Sequence, residues 1–79
     1  MNPKIIKALI ELQLESEVIV EGEDGQHFSA IVISSLFEGK SRIAKQQLVY
    51  ATLQKYIQDG SIHAISIKTF TPAEWANHG

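Results

Sequence analysis

The fold of this chain is decided by residues 62–79, which read IHAISIKTFTPAEWANHG. Apolar and polar side chains alternate over residues 64–69, and this alternation predicts a β-strand whose isoleucines face the core. The next segment, residues 71–74, reads TPAE. Its threonine and glutamate match a capping box, and its proline suits the first helical position. The stretch therefore predicts a strand followed at once by a short helix that carries Trp75.

A helix and a β-hairpin are predicted at the start of the chain. Residues 2–3, Asn-Pro, are typical of a helix start, and apolar residues recur at helical spacing over residues 3–14. The main apolar stripe of this helix is Ile5, Leu9 and Leu12, with Ile6 and Ile10 beside it. Residues 16–21 and 27–34 are predicted strands. The segment GEDG at residues 22–25 predicts the turn between them, because Asp-Gly favours positive φ.

A second, longer helix is predicted before the last strand. Residues 35–40 predict a turn or a single helical turn that is anchored by Phe37, and Ser41 can cap a helix over residues 42–58. The main apolar stripe of this helix is Val49, Leu53, Tyr56 and Ile57, flanked by Ala44, Leu48 and Ala51. Asp-Gly at residues 59–60 ends the helix, since glycine readily takes the left-handed conformation.

The predicted element order is α-β-β-α-β-α, with a turn before the second helix. So few helices cannot cover both faces of a three-stranded sheet. We therefore expect an α/β (α+β) fold, a two-layer sandwich with the helices on one face. The same element order occurs in the type II KH-like fold. Residues 1–79 are expected to form a single domain with a core of marginal size.

The composition restricts the possible functions. The chain contains no cysteine, so it cannot bind zinc or an iron–sulfur cluster with sulfur ligands of its own. It also has no apolar run of roughly 20 residues that could span a membrane, and no signal-peptide pattern. We therefore expect a cytoplasmic protein with no membrane partner. The net charge of −2 argues against a dedicated nucleic-acid binder, because such proteins neutralise phosphates.

No catalytic group is predicted. The serines lie outside any G-x-S-x-G elbow or other known nucleophile context. The acidic residues Glu21, Glu23 and Asp24 crowd the predicted hairpin turn, where solvated carboxylates are ordinary. Gly22 and Gly25 flank a turn between two strands, and not the strand-to-helix junction that binds phosphate. The sequence therefore predicts neither an enzyme nor a small-molecule substrate.

A small basic cluster in mid-chain allows two interpretations. Lys40, Arg42 and Lys45 lie close together in sequence. In a KH-type module, a Gly-x-x-Gly loop at this place grips the nucleic-acid backbone. Here residues 38–42 read EGKSR, so the second glycine is missing. The favoured interpretation is a turn with solvated charges, and the alternative is a weak nucleic-acid surface.

The histidines are the remaining candidates. His27 and His63 each lie near the start of a predicted strand, whereas His78 is next to the end of the chain and is expected to fray. Imidazole is a competent ligand for iron, copper or zinc. Two histidines without a third ligand make a poor metal site for a single chain. Either a partner supplies the other ligands, or each ring only packs and hydrogen-bonds locally.

Four segments together resemble the BolA family, closest to its short, acidic branch. These segments are DGQHF at residues 24–28, VISSLFEGKS at 32–41, QLVY at 47–50 and IHAISIKTFTP at 62–72. Each is weak alone, but their order and spacing make a specific match over most of the chain. The segment KQQ at residues 45–47 departs from the Arg-His-Arg of many members and resembles the short, acidic branch instead.

The resemblance implies a partner and a cofactor. Members of the family form complexes with monothiol glutaredoxins and share a [2Fe–2S] cluster, to which the glutaredoxin contributes its cysteine and a bound glutathione. The BolA protein contributes a histidine at the start of its last strand, which is His63 here. A second ligand usually comes from a His or Cys in the first hairpin loop. Residues 22–26 contain neither, so His27, just beyond that loop, is the second candidate.

The resemblance also leaves alternative functions open. The expected function is a non-enzymatic adaptor in iron–sulfur cluster handling. Some family members are described as transcriptional or stress regulators. The alternative is therefore a small DNA-binding regulator that uses Lys40, Arg42 and Lys45, and a third possibility is a purely structural interaction domain.

Overall fold

The computed structural model describes residues 1–22, 24–25 and 27–78. In chain order, the elements are α1 (Pro3–Gln13), β1 (Glu17–Glu21), β2 (His27–Ile33), a 3₁₀ turn (Ser35–Phe37), α2 (Arg42–Gln58), β3 (Ala64–Phe70) and α3 (Pro72–Ala76). The predicted order is confirmed. The structure also shows that the segment before α2 is a single helical turn whose anchor, Phe37, is fully buried.

The three strands form one mixed sheet in the order β1-β2-β3. β1 and β2 pair antiparallel, as predicted for a hairpin, and β2 and β3 pair parallel with His27 opposite Ala64. Of the predicted turn, Glu23 lies outside the described residues, as does Gln26 beyond it. Gly25 has φ +74°, a conformation that glycine adopts without steric cost.

The core lies between one face of the sheet and the two longer helices. Every strand contributes to it, together with α1, the 3₁₀ turn, α2 and Ile62. Its fully buried large side chains are Phe37, Ile6, Ile10, Leu53, Ile62, Val32 and Val49. Ile67 of β3 faces this core, as its alternation predicted. The predicted two-layer sandwich is therefore confirmed.

The buried face of α1 differs from the predicted stripe. Ile6 and Ile10 are fully buried, whereas Leu12 is 83% exposed and Ile5 is 49% exposed. Both sets recur at helical spacing, so periodicity alone does not decide which faces the core. Leu14 decides it. It is the C-cap residue, it is buried, and it continues the Ile6–Ile10 row because residues four apart lie on one helix face.

The stripe of α2 also needs a correction. Val49 and Leu53 are fully buried as predicted, but Ile57 is exposed. Thr52 was not predicted to be buried, yet it lies in the core. Its hydroxyl donates to the carbonyl of Val49 at 2.7 Å, which satisfies the polar group inside the helix.

Serine and threonine caps fix the boundaries of the elements. Ser41 accepts from the backbone N–H of Ala44 at the start of α2, as predicted. Ser34, predicted to end the second strand, lies beyond β2. Its hydroxyl donates to the Glu15 carbonyl at 2.6 Å and accepts from the Leu36 N–H at 3.1 Å. This buried serine therefore ties the segment between α1 and β1 to the 3₁₀ turn.

The corrected face of α1 gives a first prediction. Ile10→Ala should lower the free energy of unfolding by about 2–5 kcal/mol, because it leaves a cavity in the core. The matched variant Leu12→Ala removes an exposed side chain and should change it by less than about 0.5 kcal/mol. Urea denaturation followed by circular dichroism measures both. Equal losses in the two variants would contradict the observed orientation of α1.

Candidate functional site

His63 lies at the surface because its neighbour anchors the chain. Ile62 is buried, and its backbone N–H donates to the carbonyl of Tyr56 at 3.0 Å. Ile62 therefore fixes the end of the loop between α2 and β3. The next residue, His63, is exposed immediately before β3. The predicted position of His63 at the start of the last strand is therefore observed.

His27 is the first residue of β2 and contacts the carboxylate of Asp24. Its Nδ1 atom lies 2.7 Å from Oδ2 of Asp24, and its backbone N–H donates to Oδ1 of the same carboxylate at 2.8 Å. The histidine side chain remains 65% exposed. Asp24 therefore holds both the backbone and the ring of His27, and leaves the rest of the ring at the surface.

The parallel register brings the two histidines to one end of the sheet. His27 is paired with Ala64, the residue that follows His63. Since paired strands lie about 4.8 Å apart, the backbones of the two histidines are close at the point where β2 and β3 begin. His27 also lines a shallow groove of about 450 Å³ on the outer face of the sheet, beside Glu21 and Gly22.

Phe28 fixes the backbone beside this groove. It is buried against Gly22, where an added Cβ atom would clash with its ring. The chain therefore needs glycine at position 22 so that it can pass Phe28 closely and reach the turn. Because Phe28 is packed in the core, the backbone of its neighbour His27 is held in place beside the groove.

His78 does not join this site, and its fraying stays a prediction. Its ring stacks on Trp75 with centroids 5.2 Å apart and lies 5.0 Å from the ring of Phe70. Phe70 is the last residue of β3, and His63 lies immediately before the first. At about 3.3 Å per residue, the two ends of that strand are about 20 Å apart.

The candidate metal ligands at this end of the sheet are two histidines. Within residues 1–22, 24–25 and 27–78, no three His, Cys, Asp or Glu side chains cluster closely enough to hold a metal ion. Two exposed imidazoles at one sheet end can still supply nitrogen ligands. In the same part of the chain, no helix is both long and apolar enough to cross a membrane.

The structure divides the predicted basic cluster between two surfaces. Arg42 and Lys45 line a groove of about 390 Å³ together with Lys68 of β3, whereas Lys40 lines a different pocket with α2 side chains. Lys45 also forms an ion pair with Glu74, since its Nζ atom lies 3.6 Å from Oε1 of that residue. Lys68 was not among the predicted residues, because only the tertiary fold places β3 beside the start of α2.

Glu74 links this groove to the capping box of α3. The backbone N–H of Thr71 donates to Oε1 of Glu74 at 2.8 Å, and the Glu74 N–H donates to the Thr71 hydroxyl at 3.2 Å. The hydrogen bond from the Thr71 backbone, aided by the charge of Lys45, holds the pKa of Glu74 below its ordinary value. The predicted capping box is confirmed.

This architecture, a mixed three-stranded sheet with histidines at one end, defines a small α+β domain of the BolA fold. A family model described as BolA-like protein matches residues 6–74. The chain therefore belongs to the BolA family, and the resemblance predicted from its motifs is confirmed.

The similar proteins agree with that assignment. The chain is 51% identical over 75 residues to the acid stress protein IbaG of Escherichia coli K12, covering 95% of this chain and 88% of that protein. Its structure matches a bolA protein homologue from Coxiella burnetii with a TM-score of 0.86 and 44% identity, covering 96% and 97% of the two chains. It also matches the BolA domain of SufE1 from Arabidopsis thaliana with a TM-score of 0.79 and 33% identity, covering 91% and 93%.

The lowered pKa of Glu74 gives a second prediction. A carboxyl whose pKa is depressed by folding stabilises the protein above its unfolded pKa, here about 4.5, and loses this contribution as the pH falls through the folded pKa. Glu74→Gln should therefore melt below the wild type at pH 7, and the two melting temperatures should converge below pH 4.5. Thr71→Ser keeps the hydroxyl and should follow the wild type. Parallel curves for wild type and Glu74→Gln down to pH 3 would contradict this role.

Proposed function

We propose that this chain is an adaptor in iron–sulfur cluster handling that shares a [2Fe–2S] cluster, as cargo, with a monothiol glutaredoxin. The proposal is of an adaptor and not of an enzyme. The observation that carries it is the pairing of His27 with Ala64, which brings the backbones of two exposed histidines close together in a chain without cysteine.

The number of ligands supports a shared cluster. A [2Fe–2S] cluster is held by four protein ligands, so two proteins that share it equally supply two ligands each. The family resemblance implies that the glutaredoxin side supplies two sulfurs, from its cysteine and from bound glutathione. His63 and His27 supply two nitrogens. No ligand set within the described residues holds a metal ion alone, so this chain depends on the partner for the cluster.

The exposed position of both histidines supports a transient role. His63 is exposed, and the His27 side chain is 65% exposed, so a partner can approach both rings without a change in the core. The E. coli relative is named an acid stress protein, and we extend a role in stress to this chain as part of the proposal.

His63→Ala should abolish formation of the cluster-bound complex, because it removes an imidazole ligand without touching the core. The measurement mixes each variant with cluster-loaded monothiol glutaredoxin and records visible absorption and circular dichroism. The wild type should change both spectra, and His63→Ala should leave those of the glutaredoxin unchanged. His78→Ala is the matched control, since His78 lies at the opposite end of β3, and it should behave as the wild type.

Two results would contradict the proposal. One is an unchanged glutaredoxin spectrum with the folded wild-type chain. The other is a His63→Ala variant that forms the same complex as the wild type.

A DNA-binding regulator remains the second candidate function. One observation favours it: Arg42, Lys45 and Lys68 converge on one groove. Against it stand the net charge of −2, the ion pair of Lys45 with Glu74, and the separate position of Lys40. We therefore place this function below cluster sharing.

Any DNA binding should be weak and only shallowly dependent on salt. Three cations give a slope of log affinity against log salt no steeper than about −3, since each phosphate contact contributes about 0.9. A fluorescence titration at several salt concentrations measures this slope. Submicromolar affinity for one sequence over scrambled DNA, lost when Arg42, Lys45 and Lys68 are changed to Ala, would raise the regulator above the adaptor.

A further inference from the structure

We infer that Asp24 is a positioning residue that fixes the ring of His27 with its Nε2 atom outward, so that His27 is the second ligand this chain offers to the shared cluster. This inference rests on the proposed function and deepens it. It starts from the two contacts between Asp24 and His27, one to the ring and one to the backbone.

The chemistry of the carboxylate decides which ring nitrogen carries the proton. An ionised carboxylate oxygen can only accept a hydrogen bond. With Nδ1 of His27 lying 2.7 Å from Oδ2 of Asp24, a hydrogen bond to the ionised carboxylate places a proton on Nδ1. In the neutral ring, Nε2 then keeps its lone pair. Metal-bound histidines commonly donate their other ring N–H to a carboxylate in this way, which sets the tautomer and the orientation of the ring.

A second contact, to the backbone of His27, supports this arrangement. The other oxygen of Asp24, Oδ1, accepts from the N–H of His27 at 2.8 Å. Gly25, between the two residues, has φ +74°, and its carbonyl accepts from the amino terminus of Met1 at 3.2 Å. Both oxygens of the carboxylate therefore contact one histidine, and Gly25 is also tied to the amino terminus.

Position excludes the other histidine as the second ligand. The chain has three histidines and no cysteine. His78 stacks on Trp75 beside Phe70, about 20 Å from His63 at about 3.3 Å per strand residue. Only His27 lies beside His63 in the sheet register.

An isosteric substitution separates positioning from folding. In Asp24→Asn, the amide oxygen can still accept the backbone N–H of His27, which leaves the amide NH₂ facing Nδ1. A donor at that place favours a lone pair on Nδ1 and moves the ring proton to Nε2. The variant keeps the turn and should lose the free Nε2 lone pair.

The first measurement needs no cluster. Two-bond ¹H–¹⁵N correlation spectra of the uniformly labelled chain report the tautomer of each imidazole, and the loss of one ring signal in His27→Ala assigns the resonance. The wild type should show His27 protonated on Nδ1, and Asp24→Asn should show it mainly protonated on Nε2. Glu21→Gln is the matched control, since Glu21 also borders the groove, and it should leave the tautomer unchanged.

The second measurement follows the cluster in the complex with monothiol glutaredoxin. Loss of the carboxylate partner of a ligating histidine typically costs tenfold to a hundredfold in metal affinity. The visible circular dichroism signal of the complex should therefore decay about tenfold or more faster with Asp24→Asn, and at the wild-type rate with Glu21→Gln. His27→Ala should lose the signal as completely as His63→Ala.

The outcomes separate this inference from the proposed function. If the wild type and Asp24→Asn hold the cluster equally, or share one tautomer, the inference is wrong and the adaptor function stands. If His27→Ala keeps the signal while His63→Ala loses it, His27 is no ligand and the inference again fails alone. If the folded wild type takes up no cluster, the proposed function is wrong, and so is the ligand role of His27.

Discussion

The parallel pairing of β2 with β3 is the constraint on which the rest of the structure depends. Parallel neighbours cannot be joined by a tight turn, so the chain must cross from one end of the sheet to the other, and here α2 makes that crossing. The crossing lays α2 beside α1 over one face and creates the single core. It also makes both strands start at the same end, which is why His27 and His63 both lie there.

The same helix protects the exposed edge of the sheet. β3 is an edge strand, and such strands invite pairing with another chain. Two side chains of α2 occupy its outward carbonyls: Gln46 donates to Ile67 at 2.7 Å, and Tyr50 donates to Ile65 at 3.4 Å. Strand addition is therefore disfavoured along β3. The two exposed histidines lie at the end of the sheet and not along this covered edge.

Local signals predicted most of the fold, and non-local packing explains what they missed. The capping box at Thr71 and Glu74 is a contact within one helical turn, so its residues alone reveal it. The phase of α1 depends on where Leu14 enters the core, which periodicity does not contain. The site divides in the same way. The position of His63 followed from a motif, whereas its neighbour His27 is set by strand register. The contact between Asp24 and His27 had a local signal in their three-residue spacing, which the Asp-Gly turn pattern obscured.

The central claim is that two histidine nitrogens of this chain ligate a cluster shared with a monothiol glutaredoxin. Pulsed EPR of the reduced complex tests it most directly, with ¹⁵N-histidine in this chain only and natural-abundance nitrogen in the glutaredoxin. The account predicts strong ¹⁵N couplings from two histidines, of which one remains in His63→Ala or His27→Ala if either complex survives. A reduced cluster signal without ¹⁵N coupling would contradict the account, because the cluster would then have no ligand from this chain.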